Sequence, residues 1–376
     1  MKVPLLDLKA QYQTIKDEVV PAVNEVLESQ YFILGPKVVE LEKKVSAYSD
    51  VPYAAGVSSG SDALLVALMA LDIQPGDEVI TTPFTFFSTA GVISRLNATP
   101  VFVDIDPVTY NIDPAKIESA VTRKTKAIIP VHLYGQCADM DPLIEIAEKY
   151  NIAIIEDAAQ SIGAEYKGKK AGSMGEIGIF SFFPSKNLGG CGDGGMVVTR
   201  DESLYKKLKI LRVHGSEPKY YHKYVGGNFR LDALQAAVLI VKLKYLDLWS
   251  EGRRKNADYY NQKLEETGLI ERGLVQPPEA VYEKSGDKNH HIYNQYTIRV
   301  KDRDNLRDYL KKLDIGTEIY YPLPLHLQEC FKDLGYLKGD FPEAEKASEE
   351  VLSLPIYPEL NQEQKEYIIQ KISEYY

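Results

Sequence analysis

Cysteine is scarce in this chain, at three residues: Cys137, Cys191 and Cys330. An odd count with no paired spacing argues against a disulfide framework and against a cysteine-rich zinc centre. No basic run stands out, and 44 Lys+Arg against 54 Asp+Glu give a net charge of −10. Nucleic acid is therefore a poor partner, and a phosphate ligand would need local amides and hydroxyls to hold it. No uninterrupted apolar run approaches the ~18 residues of a membrane span. The opening MKVPLLDLKAQYQTIKDEVV is amphipathic and carries acids, unlike a signal peptide. These absences lead to the expectation of a soluble cytoplasmic protein with no membrane or nucleic-acid partner.

The 376 residues, 44% hydrophobic and 26% charged, suffice for two packed units. Residues 10–30 and 36–48 carry apolar positions every three or four and predict helices, with YFILGP as the turn between them, closed by Gly35-Pro36. From YAAGVS, at 53–58, short Ile/Val/Ala-rich runs alternate with helical patterns: SDALLVALMALDI, QPGDEVITTPFTF, ATPVFVDID, PAKIESAVT, TKAIIPVHLYG, PLIEIAEKYN and IAIIED. Runs without polar alternation suit strands covered on both faces. Strand–helix alternation implies a mostly parallel central sheet flanked by helices, with ligands at the carboxyl ends of the strands. The order of elements changes near residue 246, where YLDLWSEGRRKN reads as a long helix leaving the first unit. The expected organisation is an α/β large domain over 1–245, with its N-terminal helical segment at about 1–30, and a smaller α+β domain over 246–376.

Four stretches could carry chemistry. In VSSGSDALLVALMAL, at 57–71, a strand ends, Gly60 makes the turn and a helix starts at Ser61-Asp62. The free N–H groups and positive dipole end form an anion seat, although a Ser/Asp cap with no ligand reads the same way. No GKS or GKT follows, so this is not a Walker loop. In NIAIIEDAAQSIGA, Asp157 closes a buried strand, where a carboxylate must be solvated, capping or paired with a cation. Ala158-Ala159 leave room beside it for something flat. In SFFPSKNLGGCGDGGMVV, Lys186 stands between two apolar strand-like runs. A lysine in a partly dry pocket loses its proton more easily and can form a Schiff base; the alternative is a loop lysine with its head in water. In TTPFTFFSTAGVI, one of Phe84, Phe86 and Phe87 could stack on a planar ligand, or all three could be core. An anion seat, an aromatic, a strand-end Asp and a bracketed lysine, in one α/β unit, match the needs of pyridoxal phosphate.

The chain resembles the fold type I pyridoxal-phosphate enzymes, and within them the DegT/DnrJ/EryC1/StrS sugar aminotransferases. The matching segments are YFILGP, VSSGSDAL, TPFTFFSTA, PVHLYGQCADMD, IIEDAAQSIGA, FSFFPSKNLGG, GDGGMVVT, GGNFRLDALQAA, YYPLPLHLQ and LSLPIYPEL. The resemblance implies that Lys186 carries the internal aldimine and moves the substrate proton, with a pyridoxamine phosphate form in mid-cycle. It implies that Asp157 pairs with the pyridinium nitrogen, Gln160 bonds the ring hydroxyl and Phe86 stacks on the ring. Gly60, Ser61 and Ser181 would hold the phosphate. Asn228, in GGNFRLDALQAA, is similar to an asparagine that reaches the phosphate from a neighbouring subunit, which implies a homodimer; a turn residue after two glycines is the other reading.

Tyr320, Tyr321 and His326 resemble the segment lining the sugar-nucleotide pocket, although many relatives have HYP where this chain has YYP, and His326 reads equally as a packed histidine. YFILGP lies where the family wraps the same pocket. Arg212, His214 and Arg230 could meet a diphosphate or carboxylate, or be ordinary salt-bridge partners. The implied reaction moves an amino group from glutamate to a UDP- or dTDP-linked keto sugar, with a 3-keto substrate favoured over 4-keto on HIYNQYTIRV, by ping-pong kinetics and without a metal. Two alternatives stand beside it: a sugar dehydratase, which in this family replaces the lysine by histidine, and a non-catalytic sugar-nucleotide-binding regulator.

Overall fold

A computed structural model describes all 376 residues. Helices α1 (Leu8–Ser29) and α2 (Pro36–Tyr48) come first, and Pro36 opens α2, where its missing N–H has no helical partner to lose. Then follow β1 (Tyr53–Val57), α3 (Gly60–Ala70), β2 (Glu78–Thr81), α4 (Ser88–Arg95), β3 (Thr99–Phe102), β4 (Thr125–Ile128), α5 (Met140–Tyr150) and β5 (Ala153–Asp157). A short hairpin of β6 (Glu165–Tyr166) and β7 (Lys169–Lys170) leads to β8 (Ile177–Ser181), β9 (Gly195–Thr199), α6 (Glu202–Leu211), α7 (Ala233–Leu243) and the long α8 (Leu246–Glu266). The remainder holds β10 (Tyr296–Arg299), α9 (Arg303–Lys312), α10 (Pro342–Glu350), β11 (Val351–Leu354) and α11 (Gln362–Tyr375).

The central sheet has the order β1-β9-β8-β5-β4-β2-β3. β3, β2, β4, β5 and β8 pair in parallel, while β9 runs antiparallel to both β8 and β1. Every strand except β9 therefore points its carboxyl end to the same edge. Both faces are covered, which is why the strands lack polar alternation. Ile154, Phe180, Met196 and Val198 pack with α2, α5 and α7 on one side; Ile155, Ile179 and Val197 pack with α3, α4 and α6 on the other.

In the C-terminal part, β10 and β11 form an antiparallel pair, and Leu306 of α9 and Ile368 of α11 share their core. That core also takes Val3, Phe84, Phe102 and Tyr134 from the first 245 residues, and Val3 bridges to Ile315. PAKIESAVT, expected as a helix, is instead two 3₁₀ turns, Pro114–Lys116 and Glu118–Ala120. Ile117 is its only fully buried side chain, and one apolar anchor is too little for an α-helical stripe.

Candidate active site

The shared edge of the parallel strands gathers residues distant in sequence. β1 leads into α3, β5 ends at Asp157, β8 ends at Ser181, and β2 leads into the Phe84–Phe87 segment. At α3 the structure corrects the expected start. The helix begins at Gly60 itself, and Ser59 is the cap, its Oγ accepting from the Asp62 N–H at 3.0 Å. The extended backbone of Ser59 makes the turn, so Gly60 is needed for a close approach instead. A Cβ on Gly60 would lie 2.7 Å from Ser181 Cβ and 3.0 Å from its Oγ. This contact sets the N-terminus of α3 directly against the Ser181 hydroxyl, the combination of dipole end and hydroxyl that suits an anion. Ser61 Oγ lies 2.5 Å from Ser88 Oγ, tying α3 to α4. Gly60→Ala is expected to destabilise the fold by ~1–3 kcal/mol through overpacking, although alanine is the better helix former. A denaturation midpoint equal to or above wild type would contradict this contact.

Asp157 is buried, and no side-chain cation bonds it. Its Oδ2 accepts from Thr89 Oγ1 at 2.8 Å and its Oδ1 from the Ala159 N–H at 3.2 Å. Burial pushes its carboxyl above the usual range, against those two bonds and the charge of Lys186. Behind it, the neighbouring Glu156 accepts four bonds, from His132 Nε2 and the N–H groups of Gly172, Met174 and Gly175. His132 Nδ1 accepts from the Ala138 N–H, so Nε2 carries the proton that bonds Glu156. This buried network fixes the end of β5. Lys186 follows β8, its own N–H bonded to the Phe183 carbonyl at 2.9 Å. Burial lowers its amine to about 8, and the Asp157 charge works in the other direction.

Gln160 is buried between Tyr134 and Tyr321: its Oε1 accepts from the Tyr134 N–H at 2.8 Å, and its Nε2 donates to the Tyr321 hydroxyl at 3.1 Å. Tyr134 in turn donates its hydroxyl to the Tyr320 carbonyl. The Tyr320-Tyr321 segment is thus brought from the C-terminal part onto the strand-end edge. The three phenylalanines divide. Phe84 is core, Phe87 packs on Phe331, and Phe86 is 55% exposed with its ring 6.4 Å from that of Tyr321.

Other expected site residues lie elsewhere. His326 is fully buried, with Nε2 3.1 Å from Glu345 Oε1 and its ring edge-on to Phe341. Asn228 is exposed, in a segment that pairs with Val213. Arg212 is a structural partner: it bonds Glu42 and the Gly56 carbonyl. Sequence reading did not find Thr89, His132 or Glu156. Thr89 stood inside the TPFTFFSTA match but is 68 residues from Asp157, and no spacing signals that contact.

The DegT/DnrJ/EryC1/StrS aminotransferase family matches residues 13–373. The chain belongs to this family. It is similar, at 54% identity over 100% of this chain and 99% of the relative, to a pleiotropic regulatory protein of Geobacillus stearothermophilus. It is 45% identical, over 96% of this chain and 95% of the relative, to the UDP-N-acetyl-3-dehydro-alpha-D-glucosamine 3-aminotransferase of Acidithiobacillus ferrooxidans. Among solved structures, S. venezuelae DesV in complex with a ketimine intermediate superposes with a TM-score of 0.94, at 40% identity, covering 100% of this chain and 98% of that one. The DegT/DnrJ/EryC1/StrS fold is therefore the fold described above: a mostly parallel sheet, flanked by helices.

Proposed function

We propose that this chain is a pyridoxal-phosphate-dependent aminotransferase that moves the amino group of glutamate to a nucleotide-linked keto sugar, UDP- or dTDP-bound, with the 3-keto form preferred. The observation that carries the reading is the juxtaposition of Lys186, lowered to about 8, with a buried Asp157 that lacks a side-chain hydrogen-bond partner of positive charge, at the same edge as the Gly60–Ser181 anion seat. A buried carboxylate of this kind suits a protonated ring nitrogen, and the helix N-terminus with its hydroxyls suits a phosphate, so the residues present fit the cofactor. When bound, pyridoxal phosphate supplies an aldehyde for the amine and a cationic ring that draws electrons from the substrate carbon.

Asp157 would hold the proton on the ring nitrogen, with Thr89 fixing its orientation. Gln160 would turn its amide from Tyr321 to the ring hydroxyl, and Phe86 would cover the ring. Gly60, Ser61 and Ser181 would hold the phosphate. The Lys186 amine would take the proton from the substrate carbon and return it. Tyr320 and Tyr321 would face the sugar nucleotide, with His326 bracing their segment from behind.

The same reading includes a homodimer. Tyr31, Ile33, Phe183, Tyr220, Tyr221 and Val225 are exposed, which a second copy would cover, and exposed Asn228 would then complete the partner's phosphate site. A cytoplasmic location also belongs to it, since three free cysteines need no oxidising compartment. Lys186 stands where the dehydratases carry histidine, which disfavours that chemistry. The name of the Geobacillus relative keeps a regulatory reading open to test.

The test is to add glutamate to purified holoprotein and follow the cofactor absorbance, then to offer a panel of UDP- and dTDP-linked keto sugars and identify the product by NMR. A shift with glutamate, reversed by one of the sugars, is expected. An unchanged spectrum with glutamate would leave the chain a binding protein.

A further inference from the structure

The amino donor must be recognised by its carboxylates, and α8 carries a guanidinium that no carboxylate satisfies. Arg253 is 3% exposed. All its hydrogen bonds leave from Nη1, to the carbonyls of Tyr293, Asn294 and Ile356. Its Nε is buried without a partner. Burial lowers the group to about 10, with the distant charge of Glu359 alone opposing that. A guanidinium offers five N–H donors, and the Nε–Nη2 edge is the one that grips a carboxylate with two parallel bonds. Here that edge makes no hydrogen bond within the protein.

Arg253 lines a cavity of about 50 Å³, together with Ser185, Asn294, Gln295, Tyr320 and Ser353. Its place is informative. Ser185 immediately precedes Lys186, and Tyr320 precedes the Tyr321 that bonds Gln160. Asn187, on the other side of Lys186, donates to the Ile292 carbonyl, next to the Tyr293 carbonyl that Arg253 holds. The cavity thus reaches the residue next to Lys186 from the C-terminal part. A water needs about 10–15 Å³ of such space, so the cavity has room for a small polar group.

We infer that Arg253 and this cavity form the subsite for one carboxylate of the amino donor. The inference rests on the transaminase reading, which makes a dicarboxylic amino acid the donor. The subsite explains how one active centre serves two unlike substrates. The acid enters beside Lys186 from the α8 side, and the sugar nucleotide is left to the surface around Tyr320-Tyr321 and Phe86. In this role Arg253 binds substrate and takes no part in proton transfer.

The experiment titrates holoenzyme calorimetrically with glutarate, which has both carboxylates of glutamate but no amine to react. Wild type is expected to bind it, and Arg253→Lys to bind it at least about tenfold more weakly, the loss of one charge-assisted bidentate contact. Equal affinity in the two proteins, or no binding by a wild type that does accept an amine from glutamate, overturns the subsite. Should Arg253→Lys fail to fold, Ser185→Leu narrows the same cavity and leaves the guanidinium bonds intact. It should weaken glutarate to a similar extent, and unchanged binding again overturns the subsite. A wild type that binds glutarate but shows no spectral change with glutamate separates the two ideas: the subsite stands and the transaminase reading falls.

Discussion

Replacing Lys186 with alanine should lower steady-state transamination by at least about a thousandfold, the scale expected when a proton-transferring side chain is removed. The mutant should still take up the cofactor, because Asp157, the Gly60–Ser181 seat and Gln160 remain. Borohydride treatment separates binding from attachment. In wild type the reduced tag should map to the peptide containing Lys186, and in the mutant no lysine should carry it. A tag on another side chain, or undiminished turnover, would remove Lys186 from the centre of the reaction. The local environment adds a pH dependence. Only the unprotonated amine is a nucleophile, and burial has lowered Lys186 to about 8. Covalent uptake of cofactor by the apoprotein should therefore climb as pH rises through about 8 and level off above it. Uptake that climbs only near about 10, the range of an ordinary lysine, would contradict the lowered value.

Asp157→Asn has the next largest expected effect. The substitution keeps the shape of the side chain and an oxygen for the Thr89 hydroxyl, but removes the charge. Without a carboxylate, the site would no longer favour a protonated ring nitrogen. Cofactor affinity should fall by about tenfold or more, the scale of a lost bond to a charged group. Turnover should fall further, by about a hundredfold or more, because the ring proton that Asp157 would retain matters most when charge develops on the substrate carbon. Equilibrium dialysis with pyridoxal phosphate measures the first and kcat the second. If both stay within about twofold of wild type, Asp157 is only a strand-end cap, the alternative that its sequence position always allowed.

Much of the fold was legible because its physical cause is local. The runs around Ile154 and Ile179 lack polar alternation because the sheet is covered on both faces, and that pattern survives in the sequence. PAKIESAVT misled because its periodicity suggested a stripe that its single buried residue does not supply. At the site, Gly60 was singled out for the right helix but the wrong reason. Sequence gave a turn glycine, whereas the structure requires it for its lack of a Cβ against Ser181, a contact across 121 residues that no local rule anticipates. His326 shows the converse: a histidine in a promising segment is packed on Glu345 and Phe341.

The order of segments along the chain, read alone, placed Gly60, Phe86, Asp157 and Lys186 near strand ends of one α/β unit, because strand–helix alternation forces parallel strands to share an edge. Tertiary structure alone decided which of these groups meet and with what support. The bond from Thr89 to Asp157, the Glu156–His132 network behind it and the arginine left without a carboxylate on α8 all arise where strand order and side-chain packing bring distant residues together. Periodicity reports the face on which a residue lies; it carries no information about the partner across the gap.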